Sequence, residues 1–357
     1  MIGFGGPPAH IALLRRLCVE RRRWLEPRQF EDGVAATNLL PGPASTQLAI
    51  YTAWRLRGRS GALVGGLAFV LPGLVAILAL AALFLGSPPL WVRGAGAGGG
   101  AAVAAVALDA GLRLLGPAWQ RVSGTASVAF VAYALAGAAA AAVIGSWLVV
   151  VLLGCGALEL LRRRTSAALL QPGVLLGAAG TGGLGALAWV AFKVGALSYG
   201  GGFVIVPLMQ HDAVHRYHWM TDAEFLNGVA LGQITPGPVV HTVAVVGYAA
   251  AGVGGGLLAA LVAFAPSFGF VLLGADRFDR LLVNADVRGF MDGAGPAAIG
   301  AIVGSAVPLG LALDQWWQAI VLAGAAGVLL LPRWGVVPTL LAAGAAGIVI
   351  VLAGGPV

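Results

Sequence analysis

Apolar residues run in long blocks along this chain, and charged residues gather in short clusters between them. No Asp, Glu, Lys or Arg occurs from Gly61 to Leu90, Val122 to Leu158, Gly247 to Ala275 or Gly293 to Leu313. Each block exceeds the roughly 20 residues that a helix needs to cross a bilayer. The pattern predicts spans near 61–86, 93–116, 125–144, 146–161, 254–275, 289–311, 316–331 and 334–354. A further stretch near 174–209 is interrupted at Gly200-Gly201-Gly202. Two more, at 29–54 and 224–250, are broken by Pro41-Gly42-Pro43 and Pro236-Gly237-Pro238. Each Pro removes a backbone donor and the Gly adds a flexible joint, so neither stretch continues as one helix.

The two Pro-Gly-Pro segments belong to a repeat. Trp24, Phe30, Gly33, Val34, Ala35, Pro41, Gly42 and Pro43 recur, displaced by 195 without a gap, as Trp219, Phe225, Gly228, Val229, Ala230, Pro236, Gly237 and Pro238. Gly5-Gly6 matches Gly200-Gly201, and Arg93-Gly94 matches Arg288-Gly289. Two related halves follow, 1–165 and 166–357, with Arg162-Arg163-Arg164 opening the expected linker. The partner of Lys193 would fall before position 1, so the first half is expected to carry a shortened first helix.

Composition narrows the class. Hydrophobic residues make up 59% of the chain and charged residues 10%, against about 25% charged in a soluble domain. Such a chain is a multi-pass membrane protein. Its 56 glycines suit close helix–helix approach in lipid. The net charge of +7 lies in clusters between apolar runs, which signals topology and lipid contact rather than nucleic-acid binding. Cys18 and Cys155 have neither CxxC spacing nor a nearby His, so neither a disulfide nor a metal is expected.

The arginines decide how the Pro-Gly-Pro elements sit. If both are re-entrant, every basic residue except Arg93, Arg216 and Lys193 falls on one side; if both span, the split becomes far more even. The positive-inside rule selects the re-entrant reading. Each complete half then crosses an odd number of times, and the halves lie in opposite orientation. The expected fold is an all-α polytopic inverted repeat with broken or re-entrant helices at the Gly-Gly and Pro-Gly-Pro motifs, and its pathway lies where the breaks meet.

These residues resemble the chromate transporter family, in its long two-domain form. The resemblance is carried by Gly3-Phe4-Gly5-Gly6-Pro7-Pro8-Ala9-His10-Ile11, by Trp24-Leu25 with Phe30, and by Leu40-Pro41-Gly42-Pro43 with Gln47-Leu48-Ala49. Arg57-Gly58 with Gly61-Ala62, Ala68-Phe69 with Leu71-Pro72-Gly73, and Tyr199-Gly200-Gly201-Gly202 extend it over nearly the whole chain. It implies a secondary transporter that exports chromate across the cytoplasmic membrane, confers chromate resistance, takes sulfate as a competing anion and uses no cofactor. In agreement, the sequence has no GxxxxGK[ST] phosphate loop. An oxyanion channel of the same architecture and a membrane-embedded enzyme stay open as alternatives, as does a homodimer.

A tetrahedral dianion needs several donors and positive potential, which helix N-termini at a break supply. That places Gly5, Gly6, Pro41, Gly42, Pro43, Gly200, Gly201, Pro236, Gly237 and Pro238 around the anion; the alternative is that they only shape helices. Asn38, Thr46, Gln47, Gln233, Thr235 and His241 offer neutral partners beside the breaks, or interhelical hydrogen bonds. Lys193 lies within a span, where a charge is functional by default. Asp109 is a candidate for coupling, or else a partner for Arg113 one turn on. Arg93 and Arg288 are repeat partners that could gate the two mouths or anchor helix ends. His211, His215 and His218 read as a solvated amphipathic stretch rather than a metal site.

Overall fold

A computed structural model describes residues 6–144, 148–163, 183–198, 203–278, 283–329, 331 and 334–357. Every regular element among them is helical. Five helices are long and apolar enough to cross a membrane.

In the first half, α1 (Gly6–Arg15) runs into a π-helical turn (Arg16–Arg21), followed by α2 (Pro27–Leu39) and α3 (Ala44–Leu85). A straight helix of 42 residues would be about 63 Å long, twice the hydrocarbon thickness of a bilayer. The chain instead turns back on itself. Arg57 (φ −143°, ψ 22°) and Gly58 (φ 60°, ψ −147°) leave helical geometry. Beyond them, Gly66 lies so close to Ile50 that a methyl group on it would sit 2.8 Å from the Ile50 side chain. In a continuous helix those residues would be about 24 Å apart. α3 is therefore two antiparallel arms, 44–56 and 59–85.

The first arm also folds back on α2. Gly33 of α2 packs against Tyr51 and Leu48, so α2, Pro41-Gly42-Pro43 and the 44–56 arm form a hairpin with the Pro-Gly-Pro at its tip. Arms of 13 residues reach about 20 Å, short of a full crossing. The element enters and returns on one side, as the arginine distribution predicts.

The second half repeats this. Its elements are α8 (Leu184–Leu197), α9 (Ile205–Gln210), a π-helical turn (His211–Arg216), α10 (Asp222–Ile234) and α11 (Thr242–Gly274). Gly228 and Gly232 of α10 pack against Val245 and Thr242 across the second tip. α11 reverses at Ala251 and Gly252 (φ 62°), and Gly247 lies on Gly255 across that reversal. The repeat holds at the level of single bonds. Trp24 donates its amide to Cys18 at 2.7 Å and Trp219 to Ala213 at 2.8 Å. Among the described residues, Arg23 (φ 53°) and His218 (φ 51°) are the non-glycine residues with positive φ. Both re-entrant elements open with a capping box, Glu26 with Gln29 and Thr221 with Glu224, which satisfies the first amides of each arm.

The remaining helices exchange partners between halves. They are α4 (Leu90–Ala101), α5 (Val103–Trp119), α6 (Thr125–Ala139) and α7 (Leu148–Arg163), then α12 (Ala285–Leu311), α13 (Trp316–Leu329) and α14 (Val336–Leu352). α12 lies against α6 and α7, while α4 and α5 lie against α14 and α13. Gly137, Gly300 and Gly304 place the α6 and α12 backbones in contact, and Gly94, Gly98 and Gly347 do so for α4 and α14. Small residues at such seams let dispersion bind helices that lipid would otherwise solvate equally well.

The span predicted at 93–116 is found as Leu90–Trp119, with a single turn residue, Ala102, between α4 and α5. One expectation changes. Arg162 and Arg163, expected in the linker, form the last turn of α7. The boundary at 165/166 and the residues Gly5, Gly200 and Gly201 lie outside the described residues.

Candidate functional site

The tips are built by local chemistry. Gly42 (φ 118°) and Gly237 (φ 126°) occupy the left-handed region that favours glycine. Gln47 donates its side-chain amide to the Pro41 carbonyl at 2.7 Å and ties the first tip to its own returning arm. Each tip rests on the other half. A methyl at Gly42 would lie 3.3 Å from Ser267 Oγ and 3.4 Å from the Gly195 carbonyl. Gly73 packs on the Pro236 carbonyl and on His241. Gly73 and Ser267 each follow the proline of a long arm, Pro72 and Pro266, and the reversals at Gly58 and Gly252 put them in register. The two contacts are therefore copies of one another.

Polar groups collect at these contacts. Thr46 Oγ1, Gln47 Oε1 and Ser267 Oγ are buried without a hydrogen-bond partner among the described residues, and so is the half-buried Gln233's Nε2. His241 is buried against Phe264, with ring centroids 5.1 Å apart. Thr235 differs, since its hydroxyl donates to the Leu231 carbonyl at 2.7 Å. Unsatisfied buried donors and acceptors are costly in a fold, and here they cluster on the helices that flank or touch the two non-helical tips.

A cavity of about 880 Å³ leads toward the first tip. One wall is a face of α2, from Glu31 through Val34 and Ala35 to Asn38, three residues before Pro41. Five arginines line it: Arg15, Arg121, Arg162, Arg163 and Arg288. All five belong to the set that the re-entrant topology puts on one side. Three carboxylates accompany them, Glu31, Glu159 and Asp292, so the lining carries an excess of positive charge.

Glu159 organises this wall. It is buried, accepting from Tyr133 Oη at 3.1 Å, from Arg162 Nε at 2.7 Å and Nη2 at 2.9 Å, and from Arg163 Nε at 2.8 Å. Arg163 also pairs with Asp292 of the second half at 2.9 Å. Two guanidinium groups are thereby fixed on the cavity wall, bridging α7 and α12. Arg121 and Arg288 form no ion pair among the described residues.

Sequence reasoning placed Asn38 and Arg288 among the candidates and both line the cavity. It read Arg15, Arg121, Arg162 and Arg163 as topology anchors; the signal for a second role was their shared side, but which of them converge is a matter of tertiary packing. Arg93, the repeat partner of Arg288, is exposed at the start of α4 and is not in the lining. Asp109 accepts two hydrogen bonds from Arg113 Nε, at 2.8 and 2.7 Å, one turn along α5. Lys193 forms a buried ion pair with Asp212, whose side chain is 0% exposed. Lys193 and Gly195 lie about 200° apart around α8, so Lys193 faces away from the first tip, which Gly195 touches. Gly6 opens α1. Among the described residues no three His, Cys, Asp or Glu are arranged to hold a metal.

A narrower groove of about 190 Å³ lies beside the second re-entrant element, lined by Asn227, Ala230, Leu231 and Ile234 of α10, with Gly96 and Gly99 of α4 and Leu340 and Gly344 of α14. Ala230 and Gly96 are the repeat partners of Ala35 and Met291 in the large cavity. The groove is the contracted, apolar counterpart of that cavity.

Comparison with known proteins gives a consistent result. Residues 1–160 and 185–348 each match the family described as Chromate transporter. The chromate transport protein of Cupriavidus metallidurans is 33% identical over 322 residues, which cover 86% of this chain and 79% of the relative. That of Pseudomonas aeruginosa is 31% identical over 376 residues, covering 97% and 89%. A probable chromate transport protein of Synechococcus elongatus is 33% identical over 324 residues, covering 87% and 81%. No solved structure matches.

Proposed function

Since this chain belongs to the chromate transporter family, we propose that it exports chromate from the cytoplasm across the inner membrane, with sulfate as a competing anion and chromate resistance as the outcome. The observation that carries this reading is the arginine-lined cavity whose α2 wall runs as far as Asn38, three residues before the first Pro-Gly-Pro tip. Arg121 and Arg288 collect the dianion at the wide mouth, and Arg162 and Arg163, held by Glu159, guide it inward. Asn38 meets it near the tip. There the amides around Pro41, Gly42 and Pro43, with Thr46 and Gln47, replace part of its hydration shell. Ser267 and His241 supply further groups where the second half meets the first, with Gln233, Pro236, Gly237 and Pro238 forming the matching tip.

A non-helical backbone at this depth is tolerated when protein buries it or it lines a wet path, and Gly42 and Pro43 of the first tip are buried. The family resemblance implies that the membrane potential or an ion gradient drives it, in keeping with a sequence that has no GxxxxGK[ST] loop. Uptake of labelled chromate into inverted membrane vesicles tests the reading. Saturable uptake that sulfate competes with, and that leaves chromium unreduced as Cr(VI), is the expected result. Flux linear in driving force, with no stimulation by anion on the other side, would instead identify an oxyanion channel; reduction of the chromium would identify an enzyme.

A further inference from the structure

The Lys193–Asp212 pair has no counterpart in the first half. Asp212 lies in the π-helical turn that follows α9, and its repeat partner in the turn after α1 is Leu17. The two turns share their backbone bonds: Arg22 donates to Leu17 and Tyr217 to Asp212, each at 2.9 Å. A leucine thus suffices to build the turn, and the carboxylate is there for another reason. Burying a carboxylate and an ammonium carries a heavy desolvation cost, and ionisable residues at membrane depth serve transport far more often than folding.

A second observation points to the ligand. Only one oxygen of Asp212 meets Lys193. The other, Oδ1, is buried without a hydrogen-bond partner among the described residues and faces His211 Nδ1, likewise unpartnered among them, at 4.0 Å. The His211 side chain is 36% exposed, so it connects solvent to a carboxylate that solvent does not reach. Burial holds the His211 imidazole below the usual histidine value, and an imidazole can both take and give a proton. Because the halves are inverted, this turn lies on the face opposite the arginine cavity. The charged and titratable groups around Asp212 are Lys193 from α8, His211, His215 and Arg216 on its own turn, and Asp222 and Glu224 on α10. Asp222 is occupied by Gln210 Nε2 at 2.8 Å, and Glu224 caps Thr221.

We propose that Asp212 is a proton-binding site, loaded from the face opposite the arginine cavity through His211, whose occupancy is linked to the anion site through α8. The linkage is mechanical. One face of α8 carries Lys193; the opposite face carries Gly195, which abuts Gly42 of the first tip and packs on Ala263. When Asp212 is ionised, the pair pins α8 to the turn. When Asp212 takes one proton from solvent, Lys193 keeps its own, the ionic attraction is lost, and α8 is released behind the tip. Loss of that proton restores the pair. The inference rests on the anion-transport reading above.

Reconstituted vesicles separate the two. Chromate exchange at equal pH reports the anion path alone, and accumulation driven by a pH gradient reports coupling. Asp212→Asn should retain exchange yet lose the response to the gradient by on the order of tenfold or more, the usual size of coupling between linked sites. Asp212→Glu should keep both. Should Asp212→Asn fail to reach the membrane, the double variant Lys193→Met with Asp212→Leu, which copies the residue of the first half, takes its place. Accumulation that still follows the pH gradient in Asp212→Asn or in the double variant would overturn the proton site while leaving the transport reading intact. Absence of chromate exchange in the unaltered protein would overturn the transport reading itself.

Discussion

The two re-entrant elements share a backbone and differ in what surrounds them. Around the first, α2 lines a cavity of about 880 Å³ with five arginines. Around the second, α10 borders a groove of about 190 Å³ walled mainly by Ala, Gly, Leu and Ile. Both have a glycine at positive φ between two prolines, an arm opened by a capping box, and a tip resting on the other half's proline-bearing arm. A duplicated fold therefore fixes where the breaks lie, while the side chains facing each break decide which face receives an anion. The larger cavity lies on the basic side and the smaller, apolar groove beside the other tip.

Removing a tip should have the largest effect. Replacing Pro41-Gly42-Pro43 with three alanines lets α2 continue toward the 44–56 arm and disperses the amides at the cavity's end. Chromate transport should fall by on the order of 100-fold, the usual penalty for displacing binding groups by an ångström or so, at unchanged membrane abundance. The same change at Pro236-Gly237-Pro238 should do equal harm if the tips act as a pair; a mild effect there would break the symmetry of the account.

Gly73 and Ser267 sharpen the comparison further. Ser267 already has a side chain at its tip contact, whereas a Cβ at Gly73 would lie 2.5 Å from the Pro236 carbonyl and 2.7 Å from the His241 ring. Gly73→Ser should therefore destabilise the protein by about 1–3 kcal/mol through overpacking, seen as a lower midpoint of thermal unfolding. Ser267→Gly should move that midpoint much less.

Arg288 and Arg93 are repeat partners with different surroundings. Arg288→Ala should raise the chromate concentration for half-maximal transport by about tenfold, with an effect that fades at high salt as long-range attraction is screened. Arg93→Ala should change it by less than about twofold, because an exposed charge outside the cavity attracts the anion only weakly. The smallest effect is expected at Asp109. Its pair with Arg113 is an i, i+4 contact whose arginine is 60% exposed, so Asp109→Asn should leave transport unchanged. Its cost in stability should be about 0.5 kcal/mol or less.

Much of this architecture could be read in the residues. The 195-residue displacement, the Pro-Gly-Pro breaks and the one-sided arginines together called for re-entrant tips in an inverted repeat. The gaps between apolar runs after Trp54 and Ala250 correctly located the reversals at Arg57-Gly58 and Ala251-Gly252. Periodicity and helix breakers are local signals, and the bilayer leaves few other ways to satisfy a broken backbone. The site was legible only in part. That Tyr133 meets Glu159 and Asp292 meets Arg163, or that Lys193 finds Asp212 nineteen residues away, depends on how helices rotate against one another. Charge in a sequence reports a side of the membrane, not a neighbour. The π-helical turns were equally hidden, since Arg16–Arg21 and His211–Arg216 have in common only the valine at Val19 and Val214 and the final arginine.

The central claim, that the halves are inverted around two re-entrant tips, is tested most directly by labelling the two reversals from each face of the membrane. Arg57 and Ala251 are both exposed at equivalent turns, and the native Cys18 and Cys155 are buried and can be replaced with alanine. A membrane-impermeant thiol reagent should label Arg57→Cys only in inverted vesicles and Ala251→Cys only in intact cells stripped of their outer barrier. Labelling of both cysteines from the same face would mean that the Pro-Gly-Pro elements span the membrane and that the halves are parallel, contradicting the account.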